Sequence, residues 1–159
     1  PNYVSVYPIV ANLYAQVGNM SEATRLIEKA VGALVEAGKY DSRIFYSRAL
    51  FYTVAKRYDD AYTALKDIST NYETEKRLDP EMMSNIILAT RSHGAEAIPF
   101  LEKLQSLDQH ITDTALMLAQ LYAAEGNKDK ARFYAQEALK TDPSIQAKVQ
   151  TFLNALDKQ

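Results

Sequence analysis

Histidine is the side chain best able to exchange protons near neutral pH, and this chain of 159 residues has two, His93 and His110. His93 precedes Gly94 in a predicted turn and His110 lies in a predicted loop. Neither has a second ligand about four residues away on one helix face, as a helical metal site needs. Cysteine is absent, which removes disulfides and thiolate zinc sites. No Gly-rich phosphate loop, nucleophile elbow or spaced Ser/His/Asp set occurs. The chain therefore reads as a non-enzyme, with no catalytic residue, metal or cofactor expected. The charge-dense run Glu73-Thr74-Glu75-Lys76-Arg77 reads as solvated surface. Eleven tyrosines would suit base stacking only if interleaved with positive charge. A formal net charge of -2 and a pI near 5.7 lack the basic footprint of a nucleic-acid or anionic-membrane binder.

With little chemistry to position, the elements themselves become the object. An apolar share of 47% and a charged share of 24% are ordinary for a soluble globular protein, and one domain over 1–159 is expected. No apolar run approaches the roughly 20 residues that span a bilayer, and no basic-then-apolar signal opens the chain, so no membrane insertion by this segment is expected. The first residue is Pro1 rather than Met, from which a longer parent polypeptide is expected.

Ile111 to Pro143, ITDTALMLAQLYAAEGNKDKARFYAQEALKTDP, reads as two amphipathic helices folded together through a Gly-Asn turn. Its Leu118-Ala119, Tyr122, Gly126, Ala131, Ala138 and Pro143 resemble the tetratricopeptide repeat (TPR) pattern of large, small, aromatic and small residues with a closing proline. Small residues matter because two helices approach closely only where one side chain is nearly absent. The corresponding small residues Ala23, Ala61, Ala97 and Ala131 recur 38, 36 and 34 residues apart, around the family period of about 34. The resemblance implies an all-α fold, a right-handed α-solenoid of TPR-like helix-turn-helix hairpins. Four units are expected at about 4–38, 42–72, 79–108 and 111–142, closed by a capping helix over 143–157 whose outer face is polar.

Local signals refine each unit. In the first, a start near Ser5 would leave Pro8 in a tolerant first turn, Gly18 would end the helix left-handed, and Ser21 would cap the next. The second helix has about four extra residues before Gly38, close to one turn. In the second unit Arg48 takes a slot usually filled by leucine, where its methylenes are expected over the core and its head in water, and Lys56 replaces the turn glycine. Residues 71–79 read as a frayed helix end and polar loop. The third unit lacks the large, small and aromatic set, with Ser84, Asn85 and Leu88 in those slots, and a kink is expected near Pro99. In the core, Tyr7, Tyr14, Tyr52 and Tyr122 are expected at packed repeat positions.

TPR proteins line their concave face with the first helix of each unit, and the resemblance projects a peptide-binding set onto this chain. It comprises Asn12 and Gln16; Arg43, Tyr46, Leu50 and Val54, with Ser47 beside them; Met82, Met83 and Ile86, with Thr90; and Leu116, Met117 and Gln120, with Ala124. The clamp by which some TPR domains hold acidic chaperone tails does not fit, because Pro8 stands in a lysine slot and Met83 in an arginine slot. Formal charge falls only at the edges, on Arg43, Asp79 and Asp113, so apolar burial is expected to drive binding. The implied function is a protein-protein interaction scaffold taking a peptide or partner helix in a largely apolar groove. The alternative is an assembly segment whose groove is covered by its parent chain or by a second copy in a homo-oligomer.

Overall fold

The computed structural model describes residues 4–73 and 76–158, so Thr74 and Glu75 of the charge-dense run lie outside the described residues. The described residues form helices joined by turns, with no strand among them. They fall into two compact units that divide between Met82 and Met83.

The first unit holds α1 (Val6–Gln16), α2 (Met20–Glu36), α3 (Ser42–Val54) and α4 (Tyr58–Asn71). α1 packs on α2, α2 on α3, and α3 on α4. Ser5 precedes α1, which leaves Pro8 in the first turn, where its missing N–H has no partner to lose. Gly18 takes a φ of 78°. The cap of α2 is Asn19 rather than Ser21: the Asn19 side chain accepts from the Glu22 N–H at 3.2 Å, and Ser21 lies inside the helix. An Asx oxygen three residues ahead of an orphan N–H makes the better cap. α2 has 17 residues against 14 in α4, so the lengthening is three residues.

Ala23, Ala30, Ala49 and Ala61 are fully buried at the helix contacts, with Ile27, Phe45, Leu65 and Ile68 filling the space around them. Tyr72, Glu73 and Leu78 do more than fray. The Tyr72 ring stacks on Tyr40 with centroids 4.6 Å apart, Leu78 is buried, and Glu73 accepts hydrogen bonds from both the Tyr40 and Tyr46 hydroxyls at 3.1 Å. Glu73 is thus a partly buried acceptor, while Lys76 and Arg77 are exposed.

α5 (Pro80–Thr90) holds the boundary, with Asp79 accepting from the Met82 N–H at 2.9 Å as its cap. The second unit continues through a 3-10 segment (Arg91–Ala97), α6 (Ile98–Leu107), α7 (Thr112–Ala124), α8 (Lys128–Thr141), a short 3-10 turn (Pro143–Ile145) and α9 (Gln146–Asp157). Consecutive helices from α6 to α9 pack on one another, and the Arg91–Ala97 segment packs on α6 and α7. Pro99 does not kink a helix. α6 begins late enough that Pro99 is its second residue, and the irregularity moves into the 3-10 segment, where Gly94 has φ 60° and ψ -144°.

That segment is short for a reason visible in spacing. The slot of Tyr14, Tyr52 and Tyr122 precedes the small residue of its hairpin by nine positions, whereas buried Thr90 precedes Ala97 by seven. α5 is therefore rotated relative to the projected register. It buries Met83, Ile86, Ile87 and Thr90, and leaves Asn85 and Leu88 outside. A helix buries whichever face is apolar, and in α5 that face is offset by two residues from the repeat pattern. At the chain's far end α9 buries Val149 and Leu156 and packs Phe152 and Leu153 against Ala119 and Ala135, with Gln146, Gln150 and Asn154 exposed.

Candidate functional site

The rotation of α5 decides which residues form a recess. Within the second unit, Ser84, Ile87, Leu88 and Arg91 from the C-terminal half of α5 and its continuation face Asp113, Leu116, Met117 and Gln120 of α7, with Lys148 of α9 at the rim. They enclose a cleft of about 270 Å³. A narrower apolar recess shares Leu116, Gln120 and Lys148 with it and continues along α7 to Ala119, Ala135, Val149 and Phe152. Leu88 is 55% exposed, which is a large apolar side chain left in water at the mouth. Asp113 sits in the first turn of α7, where the helix dipole favours a negative charge.

Of the residues projected onto a binding face, Leu116, Met117 and Gln120 line this cleft. Met83 and Ile86 do not: both are buried, because the α5 rotation turns them into the core. Tyr46 is also core. Its hydroxyl donates to Glu73 at 3.1 Å and accepts from the Asp79 N–H at 2.7 Å, and burial pushes its ionisation up. Met82 is half-buried, and Leu50 is likewise half-buried on α3. Asn12, Gln16, Arg43 and Val54 remain exposed on α1 and α3 of the first unit.

Five lining residues stood outside the projected set and its charged edge: Ser84, Ile87, Leu88, Arg91 and Lys148. Leu88 had a readable signal, since an apolar residue in an aromatic slot beside polar Ser84 and Asn85 marks a face in conflict with its pattern. Arg91 and Lys148 had none, because they reach the cleft from a turn and from the closing helix. Their charges correct the expectation of an almost uncharged groove. Two cations and one carboxylate line it.

A second cluster of polar groups is structural. The Glu102 carboxylate of α6 accepts from the Tyr122 hydroxyl at 2.6 Å, from Lys130 at 3.3 Å and from the Tyr134 hydroxyl at 3.2 Å, and the Tyr122 and Tyr134 rings stack 5.7 Å apart. The Tyr122 hydrogen bond, chiefly, holds the Glu102 carboxyl below the usual range, while burial pushes Tyr134 up to about 12. The two histidines occupy different segments: His93 lies in the 3-10 segment after α5, and the His110 backbone N–H donates to Asp108 at 2.9 Å in the α6–α7 turn. Among the described residues no helix is long and apolar enough to cross a membrane.

The sequence matches the tetratricopeptide repeat family over residues 113–145, the α7–α8 hairpin and the turn after it. Among solved structures, that of MamA is similar at 21% identity and a TM-score of 0.50, over 93% of this chain and 82% of that one. TTC0263, a thermophilic TPR protein in Thermus thermophilus, is similar at 15% identity and a TM-score of 0.45, over 96% of this chain and 80% of that one. No curated protein matches the sequence. The likeness to MamA is one of fold.

Proposed function

Taking the chain as a member of the tetratricopeptide repeat family, we propose that it is an interaction scaffold whose second unit docks a partner's peptide segment in the cleft between α5, α7 and α9. The observation that carries this reading is the cleft of about 270 Å³, with exposed Leu88 at its mouth and Leu116 on its wall. A segment placing one or two large apolar side chains there gains roughly 1.5–3 kcal/mol for each one fully buried, enough to offset part of its ordering cost. Arg91 and Lys148 outnumber Asp113 along the lining, so a carboxylate flanking the apolar residues of the segment is favoured over a second cation. Salt then weakens binding modestly, by screening the exposed charges.

A peptide library displayed against the full chain tests this. Selected peptides should combine large apolar residues with an acidic one, and should lose binding to Leu116→Glu, which sets a charge into the apolar wall, while that variant keeps its helical CD signal. Peptides that bind wild type and Leu116→Glu equally would remove the cleft from consideration. The assembly reading has one observation in its favour, the apolar side chains that α1 leaves in water.

A further inference from the structure

The cleft of the second unit has two walls with the same spacing and different chemistry. From α5 and its continuation come Ser84, Ile87, Leu88 and Arg91, and from α7 come Asp113, Leu116, Met117 and Gln120, each set at i, i+3, i+4 and i+7. Such spacing is one face of one helix. The two faces run in the same direction. α6 returns toward the start of α7, and Glu102 in its first half accepts from the Tyr122 hydroxyl near the end of α7 at 2.6 Å. α6 is therefore antiparallel to α7, and Arg91, which leads into α6, lies at the Gln120 end. Lys148 belongs to that end as well, since it lines the narrower recess with Ala119 and Gln120.

Charge is thus sorted along the cleft. One end holds Asp113 with the Ser84 hydroxyl, the middle is apolar, and the other end holds Arg91 and Lys148 with the Gln120 amide. Ile87 and Met117 are buried and form the floor, whereas Asp113, Arg91 and Lys148 are exposed. Their charges are also uncommitted. Among the described residues no ion pair or side-chain hydrogen bond engages these three, while Lys130, Arg132 and Lys140 of the same unit are held by Glu102, Asp157 and Glu137.

An offset of seven residues at the helical rise separates the two ends by about 10 Å. That length and a volume of about 270 Å³ are small for a helix about 10–12 Å across, and suit about three residues of extended chain at roughly 3.3 Å each. Successive side chains of an extended chain point to opposite faces. A middle side chain that faces the floor therefore turns its two neighbours toward the exposed charges.

On the reading that a partner's peptide docks here, we propose that the cleft selects its segment by charge order. The extended core sets a basic residue against Asp113 and Ser84, a large apolar residue on the floor, and an acidic residue against Arg91, Lys148 and Gln120. Asp113 and Arg91 are then the residues that determine specificity. A segment with the same charge on both flanks sets one of them against its like.

The probes are three heptapeptides with cores lysine-leucine-glutamate, glutamate-leucine-glutamate and lysine-leucine-lysine between glycine-serine flanks, blocked at both ends to remove the terminal charges. Each is titrated into the isotope-labelled full chain by NMR. The mixed-charge peptide should bind about threefold tighter than either like-charged one, the size of one exposed ion pair. Asp113→Lys should make the glutamate-leucine-glutamate peptide the tightest of the three, a gain that no damaged fold produces, and Arg91→Gln should shrink the margin over lysine-leucine-lysine. Equal affinities in wild type, or an Asp113→Lys ranking unchanged from wild type, would overturn the charge order while docking stood, as long as Leu116→Glu still abolished binding. Absence of saturable shifts around Leu116 with all three peptides, or shifts that survive Leu116→Glu, would instead remove the docking reading and the charge order with it.

Discussion

The hairpins α3–α4 and α7–α8 fold the same way with different residues at two key slots. In α7–α8 the turn residue is Gly126, at φ 75°, and its Asn127 neighbour returns a backbone N–H to Tyr122 at 2.9 Å. In α3–α4 the turn residue is Lys56, at φ 59°, and Arg57 returns the equivalent bond to Tyr52 at 2.8 Å. Buried Leu118 corresponds to Arg48, whose guanidinium lies between Glu28 at 3.9 Å and Asp67 at 3.5 Å with its side chain 16% exposed. Its head is therefore not left in water; two carboxylates hold it at the helix surface. A repeat position, then, prescribes a backbone conformation and a burial, and a residue that fits neither persists where neighbours compensate or where strain is small enough to bear.

Exchanging residues between these hairpins breaks the comparison most severely at the first slot. Leu118→Arg sets a cation into a fully buried site whose equivalent carboxylates, Glu102 and Glu137, are already engaged by Tyr122, Lys130 and Tyr134 and by Lys140, and should cost about 3 kcal/mol or more, whereas Arg48→Leu should change stability by no more than about 1 kcal/mol. Urea denaturation of both variants decides it, and equal costs would mean that the carboxylates around Arg48 contribute nothing. Next in size, Ala61→Leu and Ala131→Leu should each destabilise by roughly 1–3 kcal/mol, because overpacking a close helix contact forces side chains off rotamer. Either variant melting at the wild-type temperature would contradict the shared register.

The turn gives a smaller effect of opposite sign in the two hairpins. Gly126→Lys should cost about 1 kcal/mol from the left-handed backbone alone, since nothing lies within 4 Å of the position its Cβ would take. Lys56→Gly should gain a similar amount, less the entropy that glycine loses on folding. If Lys56→Gly were destabilising, contacts of the lysine side chain would outweigh its strained φ.

Smallest is the pH term. Glu102 has its carboxyl pKa lowered in the folded state, so it adds stability above its unfolded value near 4.5 and loses it as pH falls through the folded value. With the side chain 37% exposed, solvent screening limits this to about 0.5 kcal/mol or less. Glu102→Gln should be slightly less stable than wild type at pH 7 and indistinguishable from it at pH 3. A gap of the same size at pH 3 would assign the loss to packing.

Local chemistry was enough for much of the chain. Periodic apolar residues, Asx caps and left-handed glycines act within a turn or two of their own position, so the α7–α8 hairpin, the Asp79 cap and the fold class were legible in the residues themselves. The α5 register was not, because its apolar face and its repeat pattern disagree and the spacing of the turn decides between them. That single rotation moved Met83 and Ile86 from an expected binding face into the core and brought Leu88 and Arg91 out to the cleft.

What the sequence by itself determined is the helical hairpin and its repetition, since both follow from short-range spacing of small and large side chains. What only the tertiary structure decided is where those hairpins leave surface open. The cleft between α5, α7 and α9, the burial of Tyr46 on Glu73 and Asp79, and the bare apolar stripe of α1 all depend on contacts between residues distant in the chain. Burial is a property of what packs against a residue, and no local pattern records its absence.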